Sequence, residues 1–228
     1  MTVPYRDLLR ESAEPRLAEF NSKLTPGKEG IIGVRIPRIR EIARMVVRDD
    51  WRQVLDSEPE CFEEEVLRGI VIATAPVTVE ERISLTEDFL DHIDNWATCD
   101  VFCSSWKVRA DDMGRAWDYF SGLIDSGEEY RMRVSVVARM SHFKDEARYR
   151  LLLEDIATHD HPGYYYRMGA AWAVSVVYVY HPDMVRDLLE SGRLEPWTHN
   201  RSIQKIRESR RVSGEEKDAL SALRRTSP

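Results

Sequence analysis

No apolar run in the 228-residue chain approaches the roughly 18 residues that a membrane span requires. The opening residues, Met1-Thr2-Val3-Pro4-Tyr5-Arg6-Asp7, lack the apolar core of a signal peptide, so a cytoplasmic protein is expected. Cysteine is scarce: three residues, an odd number, without a secretion signal argue for reduced thiols rather than a disulfide framework. Several chemical signatures are missing as well. There is no GxxxxGK[ST] phosphate loop, no GxGxxG, no HExxH and no GxSxG, which removes the common nucleotide, zinc-protease and serine-hydrolase routes. Cys99 and Cys103 lie four apart, but no CxxC or nearby His completes a four-ligand set, so small core thiols explain them better than a metal pair. No metal or cofactor is expected. The six histidines are scattered, with His159, His161 and His181 at loop or helix boundaries.

Alternating strand patterns are also lacking. Val174 to Tyr180 is rich enough in β-branched residues to tempt, yet it continues a helical stretch. What is present is amphipathic helix after amphipathic helix. Short ones run over Tyr5 to Arg10 and Pro15 to Lys23. After the Thr25-Pro26-Gly27-Lys28-Glu29-Gly30 loop, Pro37 sits in the first turn of a helix with Ile39, Ile42, Ala43 and Val46 on one face. Trp51 to Leu55 follows. Pro59 is then read as opening a longer helix through Ala73. Val79 to His92 precedes a helix that Asp94 is expected to cap and that runs towards Lys107. Met113 to Ile124, Tyr130 to Phe143, Ala147 to Thr158, Gly163 to Tyr180 and Met184 to Glu190 complete the series before two basic segments. Helix pairs recur about every 35 to 45 residues, the period of HEAT and armadillo repeats. The expected fold is therefore all-α, an α-solenoid of HEAT-like or armadillo-like repeats forming one domain over 1–228 with a concave face; a closed bundle is the alternative.

The net charge of −7 conceals its distribution. Residues 1–95 hold 13 basic and 20 acidic residues, and residues 96–228 hold 20 of each. Cations cluster at Arg35, Arg38, Arg40, Arg44, Arg48 and Arg52, and again at Arg193, Arg201, Lys205, Arg207, Arg210 and Arg211. Each cluster fits a solvated helix face, and two of them are compatible with a cationic groove. In the helix expected after Asp94, Trp96 and Asp100 stand one above the other, an aromatic plane beside a fixed negative charge. A core indole with a solvated carboxylate is the plainer reading of that spacing. Tyr164-Tyr165-Tyr166 is open to two readings too, a stacking platform for bases or a mixture of core and surface rings.

Five stretches give the chain a family resemblance: Gly33-Val34-Arg35-Ile36-Pro37-Arg38-Ile39-Arg40, Trp96-Ala97-Thr98-Cys99-Asp100, Arg131-Met132-Arg133, Gly169-Ala170-Ala171-Trp172 and His181-Pro182-Asp183-Met184. From about residue 15 to about residue 207 the sequence resembles the AlkD-like HEAT-repeat glycosylases of DNA alkylation repair. The family's working set, a Trp and an Asp separated by three residues, an Arg at the start of a later helix and a second Trp, matches Trp96, Asp100, Arg133 and Trp172 in order. Asn95 stands where the family often has a further aromatic. The resemblance implies a monomeric enzyme that excises N3- or N7-alkylated purines from duplex DNA, with those four residues at the chemistry. Arg35, Arg38, Arg131, Arg201, Lys205 and Arg207 are then expected to hold the DNA. The competing reading is a noncatalytic helical scaffold that binds nucleic acid or a protein partner.

Overall fold

The computed structural model describes residues 3–226. Among them the regular elements are fourteen α-helices and two short 3-10 segments, with no strand. The chain divides into two compact units, residues 1–113 and 114–228. No helix among the described residues is long and apolar enough to cross a membrane.

The first unit contains α1 (Tyr5–Glu11), α2 (Pro15–Leu24), α3 (Ile36–Val47), α4 (Arg52–Leu55), α5 (Phe62–Thr74), α6 (Val79–Leu90) and α7 (Trp96–Ser105). The odd-numbered helices pack in succession, α1 on α3, α3 on α5 and α5 on α7. That alternation is what stacked helix pairs produce, because each pair supplies one helix to a shared inner layer. The apolar face read from sequence, Ile39, Ile42, Ala43 and Val46, is buried against Val66, Leu67 and Ile70 of α5. Cys99 and Cys103 of α7 are buried in the same unit.

The second unit holds α8 (Met113–Gly122), α9 (Glu129–His142), α10 (Glu146–Thr158), α11 (Tyr164–Tyr180), α12 (Pro182–Ser191), α13 (Pro196–Glu208) and α14 (Gly214–Ser221). Here α9 packs on α11 and α11 on α13. The central α11 buries Gly169, Ala170, Ala171, Ala173 and Val174. Those small side chains let its neighbours approach closely. Val174 to Tyr180, the segment that resembles a strand, completes this helix. The three tyrosines at its start divide: Tyr166 is buried, Tyr165 stacks on Tyr130 with centroids 5.5 Å apart, and Tyr164 is exposed.

Two helix starts differ from the sequence reading. Pro59 does not open α5; Cys61 is extended at φ −150°, ψ 164°, and the helix begins at Phe62. The stronger signal is the run Glu63, Glu64 and Glu65, three carboxylates in a first turn whose free N–H groups favour negative charge. Likewise, Asp94 does not cap α7, for a reason given below. The stops were better marked, since Gly127 and Gly192 take left-handed φ values of 70° and 74° after their helices.

Inside the first unit a fully buried carboxylate organises the chain. Glu63 Oε1 accepts from Gly33 N at 2.7 Å and Val34 N at 3.1 Å, and Oε2 accepts from Ile32 N at 3.0 Å. Gly33 has φ +83°, and a Cβ there would stand 2.3 Å from the Glu14 carbonyl oxygen and 2.5 Å from Ala18 N. The loop is thus pressed between α5 and the start of α2. Buried arginines serve similar ends. Arg82 donates to the carbonyls of Ile72 at 2.9 Å and Ala75 at 2.8 Å, which end α5 without helical partners, and lies over the Trp106 ring. In the second unit Arg139 of α9 pairs with Asp155 of α10 and lies over Trp117; burial draws its pKa below the usual arginine value.

Two substitutions measure the clasp. Gly33→Ala combines backbone strain with overlap against backbone atoms and should cost about 3 kcal/mol or more. Glu63→Gln turns one acceptor into a donor facing the Ile32 N–H and should cost about 2 to 4 kcal/mol. Urea unfolding midpoints check both, and a midpoint within error of wild type for either would show that the loop finds other partners.

Candidate functional site

The site that sequence singles out in the first unit is the N-terminal half of α7. Its N-cap is Asn95, which is buried. The Asn95 Oδ1 accepts from Thr98 N at 2.8 Å, and its Nδ2 donates to Thr98 Oγ1 at 2.9 Å. This two-way exchange needs an amide, because a carboxylate has no proton to give the hydroxyl. Asp94, the cap expected from sequence, is one residue too early and otherwise engaged. Both its oxygens accept from Lys28 Nζ, at 3.1 and 2.9 Å, and Oδ1 also accepts from Asn95 Nδ2 at 2.9 Å. Lys28 pairs in turn with Glu65 Oε2 at 2.7 Å. Burial opposes the lysine's charge, but the bonds and charges of Glu65 and Asp94 outweigh it and raise the pKa above the ordinary lysine value.

Trp96 is the first residue of α7, and its indole Nε1 donates to the Leu24 carbonyl at the end of α2, at 2.9 Å. Trp96 and Asp100 are both half-buried and stand one turn apart on α7, whose buried residues are Thr98, Cys99, Phe102 and Cys103. The indole is thereby fixed at its nitrogen while part of the ring meets solvent, and the carboxylate lies one turn further along the same stripe. One more turn on, Ser104 Oγ accepts from Arg40 Nη2 at 3.1 Å, so a cation of the first arginine cluster reaches the line of Trp96 and Asp100. From sequence Arg40 is a member of the first cluster and of the Gly33 to Arg40 stretch, and not a candidate site residue. Its i, i+4 spacing from Ile36 and Arg44 on α3 was visible; its reach to α7 was not.

In the second unit Trp172 lies midway along α11 and is 37% exposed. It lines a cleft of about 450 Å³ with Val176, Tyr180, Lys205, Glu208 and Arg211. The packing of α11 on α13 thus brings two residues read from sequence, Trp172 and Lys205, to one place. Arg133 behaves differently. It is only 5% exposed, its Nη1 donates to the Tyr165 carbonyl in the first turn of α11, and its side chain lies against Gly169, where an added Cβ would meet Cγ and Nη1 at 3.3 Å. Glu129, one turn earlier on α9, accepts from the N–H of the same Tyr165. Arg133 therefore stands in the joint between α9 and α11.

The remaining cations are mostly paired. Arg35 forms a bidentate bridge to Glu14, and Arg38 binds Ser12 and Glu41. Arg131 pairs with Glu128 at 3.1 Å and Lys205 with Glu208 at 3.4 Å. Arg201 lies over the Trp197 ring, 5.1 Å from its centroid, while Arg207 is exposed. Among the described residues no group of three or more His, Cys, Asp or Glu is arranged to hold a metal ion.

The first unit thus presents an indole and a carboxylate in one stripe of α7, and the second unit, by itself, a cleft in which Trp172 lies with Lys205, Glu208 and Arg211. No match to a curated protein was found. A family model described as DNA alkylation repair enzyme does match, over residues 5–210, a span that takes in α1 through α13 and with them Trp96, Asp100, Arg133, Trp172 and Lys205. The chain belongs to the DNA alkylation repair enzyme family.

Proposed function

We propose that the protein is a DNA glycosylase that hydrolyses the N-glycosidic bond of purines alkylated at N3 or N7 in duplex DNA, the first step of base excision repair, acting as a monomer on DNA in the cytoplasm. The observation that carries this reading is the half-exposed stripe of α7, where Trp96 and Asp100 stand one turn apart. Family membership supports a part in alkylation repair, and the stripe suggests how the chemistry proceeds.

A purine alkylated at N3 or N7 is already cationic. When its bond to C1′ breaks, the bonding electrons go to the base and neutralise it, so the protein need not supply a proton. The positive charge passes to the deoxyribose, giving an oxocarbenium-like state of the kind met in glycoside hydrolysis. A preplaced carboxylate stabilises that charge as it forms, and Asp100 is assigned this role. Water then adds at C1′, and the proton it sheds passes to Asp100 and on to solvent. The Trp96 ring face favours cationic character beside it, and its tethered nitrogen keeps that face turned. Trp172, with Lys205 and Arg211 around its cleft, is assigned to the backbone of the bound strand. The exposed cations contact phosphates without reading sequence.

Asp100→Asn keeps the size of the side chain and removes its charge, so release of N7-methylguanine from treated duplex should fall on the order of 10²-fold or more while the melting temperature and DNA affinity hold. Excision at the wild-type rate would remove the carboxylate from the mechanism and favour the noncatalytic scaffold. Replacing Arg201, Lys205 and Arg207 together with Ala should lower the slope of log affinity against log salt by roughly 0.9 for each of them that neutralises a phosphate. Fluorescence anisotropy with undamaged duplex measures the slope; an unchanged value would place the C-terminal cations off the DNA.

A further inference from the structure

We infer that Lys28 is a positioning residue for the glycosylase reaction, setting the orientation of Trp96 and Asp100 from outside the reacting stripe; this rests on the function proposed above. The ammonium of Lys28 has three protons to donate and meets three carboxylate oxygens: Glu65 Oε2 at 2.7 Å and Asp94 Oδ1 and Oδ2 at 3.1 and 2.9 Å. Its side chain is only 12% exposed, which leaves it little access to a phosphate.

The bonds continue without a break towards α7. Asp94 accepts from Asn95, Asn95 exchanges two bonds with Thr98, and Trp96 and Asp100 follow on the helix so capped. The loop that carries Lys28 also reaches α7 by a second route, since Leu24, four residues earlier, accepts the Trp96 indole proton at 2.9 Å. Its far end is pinned as well, by Phe62 N donating to the Gly30 carbonyl at 3.1 Å. One short segment therefore grips both the indole and the turn before it, while Glu65 ties the segment to α5. Ring orientation and helix entry are set together, and a catalytic geometry tolerates little error in either.

Lys28→Met keeps most of the length and removes the charge. It leaves Glu65 partly buried without its cation, so the paired variant Lys28→Met with Glu65→Gln guards against loss of folding; Asp94, 61% exposed, is solvated without help. Two readouts are taken on both variants. One is the single-turnover rate of N7-methylguanine release at saturating enzyme. The other is the hydrogen-exchange rate and resonance position of the Trp96 indole proton, assigned by its disappearance in Trp96→Phe. The rate should fall about ten- to a hundredfold, the indole proton should shift and exchange faster, and affinity for undamaged duplex should stay put. Lys28→Arg, which can still join the two carboxylates, should recover part of both.

A wild-type rate with an unmoved indole proton would overturn the proposal. So would a rate that falls while the indole proton keeps its position and exchange, or a loss of rate matched by an equal loss of affinity, which would make Lys28 a DNA contact. If the wild-type protein releases no base, the glycosylase reading fails by itself, and the indole measurement still decides whether Lys28 orients Trp96.

Discussion

A carboxylate with no access to water must have its charge answered by hydrogen bonds, and in this protein that requirement falls on Glu63. Its answer is three consecutive backbone N–H groups, those of Ile32, Gly33 and Val34. The bargain is mutual, since the loop's donors would otherwise be stranded against α5. Once the loop is seated, Gly33 is pressed onto α2, the chain is aimed into α3 at Ile36, and the residues before it lie beside α7. The stripe bearing Trp96 and Asp100 thus depends on a buried residue of α5 that bonds to neither of them.

The arginines divide into two populations with different physics. Arg82, Arg133 and Arg139 are buried and donate to carbonyls or, for Arg139, to the half-buried Asp155 carboxylate, so they contribute to the architecture of their units. Arg35, Arg38 and Arg52 lie on the surface in bridges to Glu14, Glu41 and Glu81. Exposed bridges of this kind are worth roughly 0 to 1 kcal/mol. Exchanging a glutamate for a phosphate therefore costs such an arginine little. An acidic protein can in this way keep a cationic surface in reserve, neutralised until a stronger polyanion arrives.

The helices were legible because apolar spacing, Pro near helix starts and left-handed Gly after helix ends are local signals, and Ile39, Ile42, Ala43 and Val46 are buried as their spacing requires. The candidate stripe was legible for the same reason, as i, i+4 spacing on one helix. What sequence could not decide was set by distant partners. Asp94 and Asn95 are both competent caps, and the choice falls to Asn95 because Lys28, 66 residues earlier than Asp94, takes the aspartate. Arg133 looks like any cation at a helix start until α11 closes over it. Pro59 misled because proline marks a helix opening only where no stronger signal follows, and three glutamates follow here.

One consequence lies in α2. This helix buries none of its residues, and Phe20 and Leu24 project from one exposed side of it. It is fastened at its ends, by Gly33 against its first turn and by buried Thr25 after its last. Its last residue, Leu24, offers the carbonyl that accepts the Trp96 indole proton, so the helix with no buried residue is bonded directly to the candidate catalytic ring.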